Sequence, residues 1–129
     1  MKKTILAALL LAILPTLTEA ATCTSADMAG SWKLYTVFDS VGRCSLIMPA
    51  TGTTISTSSY CYLPGVVSSI SLRGTLKIST GCQVTGSITI GTYQRTVDAY
   101  ISKGKDSISG IAWQSSNVYV GNQFSGVKQ

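Results

Sequence analysis

Four cysteines, Cys23, Cys44, Cys61 and Cys82, are the residues with the most chemistry to offer. Outside the cytoplasm they can oxidise in pairs, and four thiols allow three pairings. Cys44 shares a strand face with Leu46 and Met48, and Cys61 shares one with Ile55 and Leu63. A two-residue turn at Gly52-Thr53 sets Cys44 directly opposite Cys61, within disulfide reach. Cys23 is then left for Cys82, a bridge from the N-terminal tail to the turn after Gly81. The chain has no histidine and no Cys-x-x-Cys, so the expectation is no metal and no cofactor.

The carboxylates are few. Beyond Glu19 the acids are Asp27, Asp39, Asp98 and Asp106. Without histidine, serine-histidine and cysteine-histidine catalysis are excluded. Asp39 and Asp106 sit at turns, Asp27 lies in the tail, and Asp98 is mid-strand on the outward face. No Gly-rich phosphate loop precedes a helix, and no motif points to a Ser-Lys dyad. The expectation is a binding protein rather than an enzyme. Trp113, Tyr119 and Phe124, with Asn117 among polar neighbours, suit a contact surface at a barrel rim. Arg95 shares a face with the apolar Val97, Ala99 and Ile101. A buried unpaired guanidinium is costly. Arg95 therefore reads as a rim residue, with a side chain aimed into a cavity as the alternative.

The elements that must hold these residues are strands. Ser, Thr, Gly and β-branched residues dominate after Cys23, in short alternating runs between Gly-containing turns, the pattern of a small β barrel or sandwich. Eight strands are predicted, at 30–38, 43–48, 54–63, 72–79, 84–90, 93–102, 107–113 and 118–127. Gly121-Asn122 has turn chemistry inside the last, which predicts two pieces or a late start. Residues 22–28 are expected to form a short tail with one helical turn. Gly30-x-Trp32-x-Leu34, Gly74-x-Leu76-x-Ile78 and Gly86-x-Ile88-x-Ile90 share one phase, glycine on the core face with two apolar residues. Core-facing glycines allow the sharp bends of a closed barrel. The fold expected is an all-β, eight-stranded antiparallel up-and-down barrel with two disulfides, with an immunoglobulin-like sandwich as the alternative.

The first twenty residues read as a secretory signal. Lys2 and Lys3 precede an apolar run, and Thr18-Glu19-Ala20 offers a small-x-small cleavage site. The chain thus divides into 1–20, a signal peptide, and 21–129, a single β domain in the periplasm or secreted medium. No later segment is apolar enough for a membrane span. In the domain, eight basic residues oppose four acids. They are scattered along the sequence, with no basic run interleaved with aromatics, so nucleic acid is not an expected partner.

The stretch Gly30-Ser31-Trp32-Lys33-Leu34 resembles the Gly-x-Trp opening of calycin-type barrels. Within that group the chain is most similar to bacterial periplasmic metalloprotease inhibitors of the Inh type, whose Cys-x-apolar strand and second cysteine correspond to Cys44-Ser45-Leu46 and Cys61-Tyr62-Leu63. The likeness spans about 28–63, and Cys23 and Cys82 have no counterpart in it. It implies a calycin-like barrel that inhibits a protease through its N-terminal segment, here 21–28. The function expected first is non-catalytic binding of a protein partner such as a secreted or periplasmic protease; the alternatives are carriage of a small apolar ligand inside a closed barrel with an apolar inward face, which needs a cavity of roughly 300 Å³, and edge-to-edge surface assembly if the barrel stays open.

Overall fold

The structure, a computed structural model, describes residues 22–37, 41–50 and 52–129, without the side chains of 37, 41 and 118–120. The signal-peptide reading of 1–20, Phe38, Asp39 and the side chain of Tyr119 lie outside the described residues.

A short helix, α1 (Ser25–Met28), leads into eight strands. These are β1 (Gly30–Val37), β2 (Val41–Met48), β3 (Tyr60–Tyr62), β4 (Ile70–Ile78), β5 (Gln83–Ile90), β6 (Tyr93–Ile101), β7 (Ser107–Gln114) and β8 (Asn117–Lys128). Each pairs antiparallel with the next, and β8 pairs with β1. The sheet is a closed barrel. Closure excludes the sandwich alternative.

Alternation fills the interior. Trp32, Leu46, Met48, Leu76, Val84, Val97, Ala99 and Ile101 are buried in one core, as their phase predicts. Met28, Leu72, Ile108 and Ala112 complete it. Gly74 and Gly86 lie diagonally across the β4–β5 seam, Gly74 opposite Ile88 and Gly86 opposite Leu76. Both have positive φ, +138° and +152°. A Cβ on Gly74 would lie 2.2 Å from the Ser87 carbonyl oxygen, and one on Gly86 would lie 2.1 Å from that of Thr75. Only glycine lets the two strands approach this closely while bending.

One end of the barrel is closed by α1. The Trp32 indole N–H donates to the Met28 carbonyl at 2.8 Å. Cys23–Cys82 ties the preceding tail to the β4–β5 turn. Lys128 Nζ donates to the Asp27 carbonyl at 3.0 Å, and Lys105 pairs with the Asp27 carboxylate at 3.1 Å.

Two expectations are corrected. No two-residue turn occurs at Gly52-Thr53. The long predicted strand 54–63 is reduced to β3, because residues 53–55 bond to β4 instead of continuing a hairpin with β2. The Ile55 N–H donates to the Gly74 carbonyl, and the Leu76 N–H donates to that of Thr53, both at 2.9 Å. Two short pieces, 53–55 and β3, therefore flank β4 where one strand was expected, and burial of Ile55 holds the first in place. The other correction concerns Gly121-Asn122, which forms no turn. Gly121 and Asn122 pair with Trp113 and Ala112 inside a continuous β8, and the irregularity falls instead at Trp113/Gln114.

Candidate functional site: an apolar cavity at the open end

The strands carry their side chains inward up to the end opposite α1, and there the packing is incomplete. A cavity of about 120 Å³ remains inside the barrel. Its wall is almost wholly apolar, with Leu72, Leu76, Ile88, Val97, Ile108 and Phe124 among the lining side chains. The few polar groups on it are Thr36, Arg95, Asn122 and the Tyr93 hydroxyl. The Thr36 hydroxyl accepts the Gly42 N–H at 3.1 Å.

Arg95 lines the cavity and is half-buried. Its position follows from strand phase: opposite Ile88, two residues from Val97, it can only face inward. Proximity to the mouth resolves the cost of burying its charge. The guanidinium donates to the Gln94 carbonyl at 3.0 Å and lies 5.8 Å from the Tyr93 ring centroid.

The aromatic and amide cluster predicted near the last turns is not assembled as one surface. Phe124 points into the barrel and packs against the core. Trp113 follows the inward Ala112 and so takes the opposite face of β7, half-buried. Asn117 is exposed at the start of β8. Of the sequence-predicted set, Arg95 and Phe124 reach the cavity. Asn122 was missed because its turn chemistry masked its strand phase. Leu72 and Ile108 carried a legible signal in their alternation with Arg73 and Ser109.

Two disulfides are present, Cys23–Cys82 and Cys44–Cys61, both as expected. Such bridges belong to chains that fold in an oxidising compartment, extracellular or periplasmic. No helix among the described residues is long and apolar enough to cross a membrane. No known family model matches the chain, and no curated protein does either.

The volume limits what the cavity holds. It falls short of the roughly 300 Å³ of a drug-sized pocket, so the expectation of an ordinary carrier site is narrowed. It approaches the ~150 Å³ at which an apolar cavity admits a single benzene ring.

Proposed function

We propose that the barrel is a non-catalytic binding protein of the periplasm or secreted medium that takes a ring-sized or short-chain apolar ligand. The observation that carries this reading is the unfilled apolar cavity. Apolar wall left unpacked by side chains forgoes the contacts that a filled core makes. A barrel selected for stability alone would fill it, as this one fills its α1 end around Trp32. A ligand that occupies the space recovers that loss. Protease inhibition through 21–28, implied by the resemblance, is a weaker reading. Cys23 is bridged and buried, and Met28 is buried with its carbonyl accepting from Trp32, so the segment is tied to the barrel at both positions, and the exposed Thr24, Ser25 and Ala26 between them are not a free extended strand.

The test is a methyl-resolved NMR titration of the protein with toluene. Saturable shifts at Leu72, Ile88, Val97 and Ile108 are expected. Ala112→Leu, which places extra carbons on the cavity wall, should abolish them while the fold persists. Unchanged methyl spectra at saturating toluene would exclude this reading.

A further inference from the structure

The cations are scattered in sequence, but the fold sets two of them, Lys33 and Arg43, along one groove. On the outer face of β1–β3, cross-strand pairing sets Tyr35 opposite Arg43 and Arg43 opposite Tyr62. The adjoining row sets Lys33 opposite Ser45 and Ser45 opposite Tyr60. β4 adds the exposed Arg73 and Lys77. Among the described residues no Asp or Glu side chain lies on this face. Asp27 is paired with Lys105 at the closed end. Asp98 accepts from Gln83 on β5–β6, and Asp106 accepts from Ser102 in the β6–β7 turn.

The two rows bound a groove of about 460 Å³. Its aromatic wall is preorganised. The Arg43 guanidinium lies 4.9 Å from the Tyr62 ring centroid, and the Tyr60 and Tyr62 rings meet edge to face at 5.5 Å. Its other lining sets Leu34 and Cys44 beside polar groups: Lys33 Nζ donates to the Ser45 hydroxyl at 3.2 Å, and Gln129 closes one side. Tyr35 is 51% and Tyr62 38% exposed, so both rings are open to a partner.

We infer that this groove binds a single chain of an acidic polysaccharide. The positive face selects an anion, and the planar fork of Arg43 matches a carboxylate. Exposed tyrosine rings pack against sugar rings, and the hydroxyl, ammonium and amide groups answer sugar hydroxyls. Nucleic acid fits less well, because single strands need successive bases stacked on ring faces. Here the Tyr60 and Tyr62 rings stand 81° apart, so their faces form no continuous stack for successive bases. An acidic protein partner would favour a dry apolar centre, and this groove sets Lys33, Ser45 and Gln129 beside its rings. The inference is independent of the cavity, which lies on the inner face of the sheet.

The experiment titrates the full chain with a tetramer of galacturonate and, in parallel, with neutral maltotetraose, read by calorimetry and tyrosine ring NMR. The uronate should bind at least ten times more tightly, shifting Tyr35 and Tyr62. Its affinity should fall with added salt. Arg43→Gln should weaken it about tenfold or more, and Arg43→Lys should retain an intermediate affinity. Lys103→Ala, in the turn beside the closed end, should change nothing. Equal binding of the two sugars, no uronate binding at millimolar concentration, or indifference to Arg43→Gln would overturn the inference. So would tighter binding of an oligothymidylate or an oligoglutamate, which would assign the face to nucleic acid or protein. The toluene shifts of Val97 and Ile108 serve as a separate readout, so failure of the groove leaves the cavity reading untouched.

Discussion

Cys44 and Cys61 oppose each other across β2 and β3 with their Cα atoms 4.0 Å apart. The pairing matches the register of a tight hairpin, yet no tight hairpin joins the strands. Residues between them leave β2, bond to β4 through Thr53 and Ile55, and return as β3. The disulfide therefore closes a seam that only three residue pairs of β2–β3 ladder support.

Loss of each bridge has an expected size. Cys44–Cys61 closes a separation of 17 residues and Cys23–Cys82 one of 59. Loop-closure entropy assigns them about 3 and about 4 kcal/mol. The tail adds contacts of its own, since Cys23 and Met28 are both buried. Replacing Cys23 and Cys82 with Ala should therefore cost at least as much as replacing Cys44 and Cys61. Urea unfolding of the two double variants decides this, and the reverse order would show that the tail contributes little.

The β4–β5 seam makes a sharper prediction. Gly74→Ala and Gly86→Ala should each destabilise by about 2–4 kcal/mol, because each methyl strikes backbone of the facing strand. Both push the same two strands apart. The double variant should then lose less than the sum of the singles, as expected for coupled sites. Gly121→Ala is the control: its Cβ would find ordinary contact at 3.4 Å from Trp113 Cβ, and its cost should stay within about 1 kcal/mol. Additive losses at 74 and 86 in thermal melts would show that the strands relax independently.

These residues also show what was legible in sequence. The glycine phase, the inward faces and the cysteine pairs follow from a period of two, which is a local property. The barrel order follows because most strands join their neighbours through short turns. The segment 53–55 was misread because its partner, β4, is remote in the chain. Gly121-Asn122 was misread because turn propensity yields to a paired neighbour strand. The basic face was invisible for the same reason. Lys33, on β1, and Arg43, on β2, are separated in sequence, and only cross-strand pairing brings them to one side. The cavity depends on side-chain volumes summed over strands, which no alternation pattern encodes.

Trp32 is expected to be the keystone of the closed end. It is fully buried, and its indole donates to the Met28 carbonyl. Trp32→Phe leaves that carbonyl without its donor and removes part of the packed volume, a cost of about 2–4 kcal/mol. Amide exchange should speed at the base before the rest of the barrel. Uniform acceleration across all strands would mean that α1 does not open locally.

Asp27 gives the closed end a pH dependence. The Thr24 backbone N–H donates to its carboxylate at 2.7 Å, and the Lys105 ammonium lies 3.1 Å away. The Thr24 bond, then the Lys105 contact, hold the Asp27 carboxyl below the ordinary carboxylate range, against a smaller opposing effect of desolvation. In the unfolded chain the carboxyl titrates near the ordinary aspartate value of about 3.9. A group whose folded value is depressed stabilises the fold above the unfolded value, and that stability is lost as pH falls through the folded one. Asp27→Asn keeps the shape but removes the charge. The gap in Tm between the native chain and Asp27→Asn should be constant from neutral pH down to about pH 5. It should shrink below about pH 4 and vanish once the carboxyl is protonated. Lys105→Met should narrow the same gap at neutral pH without closing it, because the Thr24 bond remains. A gap that stays the same at every pH would mean that the carboxylate charge plays no part in holding α1 on the barrel.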